Sequence, residues 1–505
     1  MLAAPYDSAM SHTDAVIHFD ARRVVGELDR RVFGGFLEHM GRAVYEGIYE
    51  PGSPLADEDG LRTDVMDALR RLEMPVVRYP GGNYVSNHDW RDGIGPAQDR
   101  PTRPDFAWRS IETNEFGTDE FMNWCDKMGT RPMMAVNLGT GTPREAAALV
   151  EYCNLPAGTA DADLRVANGN AAPYGVEVWC LGNEMDGPWQ AGHVPAQTYA
   201  EKALTASQLM KGIDPLIETI ACGSSMRGLP SYLHWDETVL DHCWDSIDYL
   251  SAHRYSRNHD DTPSFLAEGV VVDEIINDYR SLFQVVKSRK KSRHDVHLSF
   301  DEWNVWYREM NMNGEWTTAP HLIEEVYNLE DALVCAQYLH SFIRNADVVK
   351  VACIAQIANI IAPILTRTDD LLVQSIFWPF QMLSATASGV ALEPFVDAPM
   401  IATQRRGEVS ALDVAATHDP AAATAMVSVV NRSTADAIDT SVELAGLVPS
   451  AVSARQVHHT DPKAHNSWER RNVVVPTDVD VAIVPEGLRL TVPPLSLTTV
   501  QLTLA

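Results

Sequence analysis

Two strings carry carboxylates at the ends of apolar runs: Trp179-Cys-Leu-Gly-Asn-Glu184 and Leu298-Ser-Phe-Asp-Glu-Trp303. A buried parallel strand has this form when it delivers an acid to a pocket at its C-terminal end. A charge in that position costs several kcal/mol unless something compensates it. Two such carboxylates can split a glycosidic bond, one as proton donor and the other as nucleophile or base. Two surface acids just past two core strands would give the same strings, so the elements that position them decide.

Between about residues 30 and 390 short apolar runs alternate with helical patterns. The runs are Val32–Phe36, Val76–Tyr79, Met133–Leu138, Val176–Leu181, Ile217–Cys222, Ile247–Ala252, Val296–Phe300 and Val349–Ile354. Apolar residues at i, i+3 and i+4 mark helices over Leu61–Leu72, Glu120–Met128, Glu145–Cys153, Gln197–Met210, Val272–Val286 and Leu329–Ile343. Eight such units predict an α/β fold, a (β/α)8 TIM barrel. A doubly wound sheet would want a Gly-rich turn after its first strand, and Gly34-Gly35 lie inside the strand instead. From about residue 390 period-2 runs take over, at Thr424–Val430, Thr440–Leu444, Ala451–Val457, Val473–Val475, Leu488–Val492 and Leu497–Leu504. They predict a C-terminal antiparallel β-sandwich domain. The Ala-rich stretch Asp413–Ala425 is expected to form loops or short elements. The expected division is residues 1–24, with Ala15–Phe19 pairing with the C-terminal sheet; 25–388, the barrel; and 389–505, the β-sandwich.

In a barrel, residues just after the strands share one rim. Read in order, that rim offers Glu38 and His39, Arg78 to Asn83, Asn137, Asn183 and Glu184, His253 and Tyr255, Glu302, Asn304 and Trp306, then Gln356 and Asn359. Amides, carboxylates and aromatics suit sugars, whose hydroxyls take directed bonds and whose apolar faces rest on indoles. Tyr255 could hold the Glu302 carboxylate ionised. Arg78 is either a structural ion-pair partner or a group that orients a catalytic carboxylate. Trp108, in the long loop Trp90–Ile111, is a candidate stacking wall. The loop Tyr307–Thr318 is either a cover for the cleft or a plain surface loop.

Composition narrows the partners. The 505 residues carry 40 basic against 69 acidic side chains, a net −29. Such a surface repels nucleic acid and anionic membranes and suits a neutral substrate. No apolar run reaches the ~18 residues a membrane span needs. The start, Met1-Leu-Ala-Ala-Pro-Tyr-Asp-Ser8, lacks the basic and apolar regions of a signal peptide. Seven scattered cysteines without a CxxC pair read as reduced core residues, and with the missing leader they point to the cytoplasm. No HExxH or Cys/His cluster argues for a metal, and no cofactor is expected.

Several strings together resemble one family. They are Phe36-Leu-Glu-His-Met-Gly-Arg42, Tyr45-Glu-Gly-Ile-Tyr-Glu-Pro51, Arg78-Tyr-Pro-Gly-Gly-Asn83, Trp179 to Trp189, Leu298 to Trp306 and Ile354-Ala-Gln-Ile-Ala-Asn359. The chain resembles the glycoside hydrolase family 51 α-L-arabinofuranosidases, a clan with the acid/base after strand 4 and the nucleophile after strand 7. The resemblance implies Glu184 as acid/base and Glu302 as nucleophile. It implies Glu38, Asn83, Asn183, Tyr255 and Gln356 as contacts of the arabinofuranose or the nucleophile. Trp108 and Trp306 would border the subsite; His253 is a further substrate-binding candidate, by rim position alone either a satisfied histidine or a proton carrier. Departures are slight: Arg254 and Ser256 stand where the family pattern has Gln and Tyr, and Tyr84 replaces a Phe. The implied activity is exo-acting and retaining, on arabinan- or arabinoxylan-derived oligosaccharides, in a homo-hexamer. The competing reading is an endo-β-glucanase or β-xylosidase of the same clan, with a longer cleft; a non-catalytic sugar-binding protein would lack one of the glutamates.

Overall fold

A computed structural model describes residues 13–308 and 314–505. The first residues, on which the signal-peptide reading rests, and the centre of the 307–318 loop lie outside the described residues. Eight parallel strands close into a barrel: β1 (Gly34–Phe36), β2 (Val76–Tyr79), β3 (Arg131–Val136), β4 (Val178–Leu181), β5 (Glu218–Ala221), β6 (Tyr249–Ser256), β7 (His297–Val305) and β8 (Val349–Ala355). Each pairs with its neighbours in chain order, and β8 closes on β1. The strands are nearly continuous runs of buried residues because helices cover their outer face. The six helices read from periodicity are present; His234–Cys243 after β5 and Phe377–Ser384 after β8 complete the ring.

One irregularity matters for chemistry. Ser251 pairs with Ser299 but His253 pairs with Glu302, so β7 gains a residue against β6. The same slip shows against β8, between Phe300 and Trp303. Strand neighbours normally point to opposite faces. A bulge breaks that alternation, and Asp301 and Glu302 both reach the same buried guanidinium, that of Arg78.

The rest of the chain forms a five-stranded and a seven-stranded sheet packed on a second core. Thr13–Asp20 lies in the first, antiparallel to Phe395–Asp397 and parallel to Ile438–Ala445. Val24–Glu27 joins the edge of the second. The Ala-rich stretch is not loop: Leu412–Asp419 is an eight-residue strand, paired with Val390–Leu392 and Thr424–Asn431. Alanine has little strand preference of its own, but two flanking strands supply the bonds and bury Ala415 and Ala416. Val473–Val475, conversely, is not a strand. Asn466 Oδ1 accepts the backbone N–H groups of Val473 and Val474, which frees them from any ladder. All seven cysteines are free and buried. Among the described residues no helix is long and apolar enough to cross a membrane.

Candidate active site

Glu302 sits near the C-terminal end of β7 and is 5% exposed. One oxygen, Oε1, accepts from Arg78 Nη1 at 2.7 Å, and Oε2 accepts from the Tyr255 hydroxyl at 3.0 Å. Glu184 follows β4 in a left-handed backbone conformation, φ 43°. Its Oε1 meets His253 Nδ1 at 2.9 Å, and its Oε2 accepts from Trp189 Nε1 at 2.8 Å. The other ring nitrogen of His253 lies 3.2 Å from Asp301 Oδ1. Oxygen and nitrogen atoms of Glu184, His253 and Glu302 all fall within 4.8 Å of one another.

Arg78 anchors this set. It is 1% exposed, and its Nη2 donates to Asn183 Oδ1 at 2.7 Å. Removing one partner from such a buried ionic set costs on the order of 3–5 kcal/mol, so Arg78 is an ion-pair partner that also fixes the carboxylate. Burial opposes the His253 cation, but Glu302 and Asp301 outweigh it and lift the imidazole well above its usual range. Burial likewise raises Asp301, yet Arg78 and His253 hold it below an ordinary aspartate. Burial wins at Glu302, whose proton affinity is raised despite His253 and Arg78.

Glu38 faces them across the pocket. Its Oε1 accepts from the Tyr84 N–H and from Trp108 Nε1, both at 2.9 Å, and Gln356 Nε2 lies 3.3 Å from Oε2. Gly82 makes room for it: a Cβ there would stand 2.3 Å from Glu38 Oε2. Burial, then the charge of Glu302, pushes Glu38 up to about 8. An unfolded glutamate titrates near 4.3. Between those values the unfolded chain gives up this proton and the folded chain keeps it, so folding loses stability as pH rises. Glu38→Gln removes that loss. Its melting temperature relative to wild type should therefore climb from pH 5 to pH 8, and a flat difference would refute the buried-acid assignment.

A cavity of about 530 Å3 holds these groups, walled by Glu38, Asn83, Trp108, Glu184, Glu302 and Gln356. Tyr255 and Trp306 also line it, their rings 5.2 Å apart and edge-to-face. Asn183 and His253, two expected sugar contacts, are almost wholly buried beside the glutamates, 1% and 4% exposed. Their polar atoms bond to Arg78, Asn83, Glu184 and Asp301. His39 is held between Glu112 and Tyr79 at 2.7 Å each. The sequence reading gave no role to Asp301, Trp189, Phe106 or Met226; the last three line the cavity and are 44–62% exposed. Trp189 lay in plain view five residues past Glu184. The far end of the 307–318 loop docks on the strand Ser110–Glu112, with Ile111 N–H donating to Thr317 O at 3.0 Å.

Glu184, His253 and Glu302 also have the spacing of a cation site. No sequence motif could reveal it, because the three come from three different strand ends. A proton on His253 opposes metal binding there, since imidazole ligates in its neutral form.

Two family profiles match the chain: the alpha-L-arabinofuranosidase 1 domain over residues 68–268 and the alpha-L-arabinofuranosidase C-terminal domain over residues 301–496. An intracellular exo-alpha-(1->5)-L-arabinofuranosidase 1 of Bacillus subtilis is 41% identical over 489 residues, 96% of this chain and 98% of that one. The chain belongs to the glycoside hydrolase family 51 α-L-arabinofuranosidases. Another relative, an exo-alpha-(1->6)-L-arabinofuranosidase of Bifidobacterium longum, is 43% identical, covering 94% of this chain and 95% of its own. Among solved structures, a family 51 member from Bifidobacterium longum superposes with a TM-score of 0.93 at 37% identity. It covers 97% of this chain and all of that one. Family membership sets aside the endo-glucanase and xylosidase reading.

Proposed function

We propose that this enzyme is an exo-acting, retaining α-L-arabinofuranosidase that removes terminal arabinofuranose from arabinose-containing oligosaccharides. The observation that carries the mechanism is the approach of Glu184 and Glu302 oxygens to within 4.8 Å. Direct attack needs carboxyl groups about 5 Å apart, whereas inversion needs about 6.5–9.5 Å to seat a water. Glu302, held by Arg78 and Tyr255, attacks C1 of the furanoside. The bond from C1 to the leaving oxygen breaks, and Glu184 gives that oxygen its proton. Water then attacks C1, Glu184 takes the water proton, and the ester to Glu302 breaks.

Charge favours this order. Arg78 and His253 lie against Asp301 and Glu302 and balance their charges. Forming the ester removes the negative charge of Glu302. Glu184, having given up its proton in the first step, is then the base the second step requires.

Glu38, Asn83 and Gln356 stand together on the cavity wall as polar neighbours for one terminal furanose, which supports exo action. Relatives of nearly equal identity are named for 1->5 and 1->6 linkages. Linkage choice is therefore assigned to the exposed outer wall, Phe106, Trp189 and Met226. By the family resemblance, the proposal extends to a cytoplasmic homo-hexamer, and light scattering should give the mass of six chains. Proton NMR of an aryl arabinofuranoside digest should show the α-anomer first. A first-formed β-anomer would sink the covalent mechanism.

A further inference from the structure

Arg254 and Ser256 alternate along β6 with His253 and Tyr255, and strand alternation sends them to the other face. A separate cavity of about 190 Å3 opens there, lined by Arg254, Arg257, Arg405, Arg406, Asp261 and Glu268, among others. Residues far apart in sequence meet here: Glu268 opens the helix Glu268–Lys290, and Arg405 and Arg406 form the turn between Met400–Thr403 and Gly407–Ser410.

Four guanidinium groups face two carboxylates, a local charge of +2 in a chain whose net charge is −29. Glu268 is shared: it accepts from Arg254 Nη2 at 2.6 Å and from Arg406 Nη2 at 2.5 Å. The side chains of Arg257 and Arg405 have no hydrogen-bond or ion-pair partner among the described residues. Nearby His259, lowered by burial and by Arg405 and Arg257, adds no charge near neutral pH. Three buried polar atoms of the lining are also unpaired: Arg254 Nε, Arg406 Nε and Asp261 Oδ2. Leaving buried polar atoms unpaired is costly. What the open cavity lacks is a counter-ion for its surplus arginines, one with two negative charges and several oxygen acceptors.

We propose that this cavity is a phosphate site, taking a phosphate dianion with a hydroxyl beside it, free as hydrogen phosphate or carried on a small sugar. Oxygen atoms of the dianion would accept from the four arginines, whose planar forks match phosphate. The hydroxyl would donate to Asp261. A dianion also cancels the +2 charge, which chloride cannot do with one ion.

Binding of the anion can be tested without any appeal to catalysis. The full chain is melted and titrated calorimetrically at pH 7.5 with sodium phosphate, sodium sulfate and sodium chloride at matched ionic strength, and with a pentose 5-phosphate. Phosphate should raise the melting temperature with its concentration, beyond chloride. Sulfate has the charge without the hydrogen to donate and should bind several-fold more weakly; equal binding would overturn the role given to Asp261. Tighter binding of the pentose phosphate would place the phosphate on a sugar, and tighter binding of the inorganic ion would make it free. The paired substitution Arg257→Ala, Arg405→Ala removes exposed side chains and should fold. It should weaken phosphate binding about tenfold or more and leave hydrolysis in phosphate-free buffer unchanged. No heat beyond chloride, or an undiminished phosphate response in the double variant, would overturn the site. So would a double variant that falls apart into smaller assemblies while wild type ignores phosphate, because carboxylates of another copy would then fill the cluster.

Discussion

Glu302→Ala should lower turnover by about four orders of magnitude or more on every substrate, the scale seen when a nucleophile is removed. Without that oxygen no ester to C1 can form, and Glu184 on the other side cannot replace it. Binding should change far less, because Glu38, Asn83 and Gln356 still face the sugar. The space left by the side chain faces Arg78 and Tyr255, a site suited to a small anion. Azide should enter it and restore turnover with activated aryl substrates. The product should be the β-arabinosyl azide, since azide attacks from the face that Glu302 occupied. Retention of more than about a tenth of wild-type activity would end the nucleophile assignment. A melting curve separates chemistry from folding: the variant leaves Arg78 paired with Asp301 at 3.4 Å, so the buried cation keeps a partner.

What could be seen in the sequence followed from periodicity and from strand ends. Eight apolar runs at regular spacing specify a barrel, and a barrel brings residues as distant as 38, 184, 302 and 356 to one rim. Glu184 and Glu302 stood out because a charge closing an apolar run needs a reason. Asp301 did not, because plain strand alternation sends it away from its neighbour. Only the extra residue in β7 turns it toward Arg78 and His253. Rim position put His253 and Asn183 at the site, but it says where a residue sits and not which way its polar atoms face. The structure adds the partners: Asn183 bonds Arg78 and Asn83, and His253 bridges Glu184 and Asp301. The strand Leu412–Asp419 was hidden because its alanines owe their conformation to neighbouring strands. The arginine cluster was invisible for a related reason: Arg254 and Arg405 are 151 residues apart (405 − 254) and meet only where the barrel touches the β-rich part.

Glu184→Ala should behave unlike Glu302→Ala, and the difference identifies the acid/base. A dinitrophenyl leaving group departs with little need of a proton, so the first step should survive. An oligosaccharide leaving group needs protonation, and its hydrolysis should fall by the 10²–10⁴-fold that general acid–base catalysis typically supplies. The second step needs a base for every substrate. With good leaving groups the arabinosyl ester on Glu302 should therefore accumulate, seen as a burst of phenol followed by a slow steady state. Azide needs no deprotonation, so it should accelerate that steady state and give the α-azide, formed by attack from the face Glu184 has vacated. The anomer of the azide thus reports which carboxylate was removed: β for Glu302→Ala and α for Glu184→Ala. Equal losses on good and poor leaving groups, with no burst, would mean that Glu184 only shapes the pocket. The proton would then have to come from His253, the remaining charged group within reach of both carboxylates.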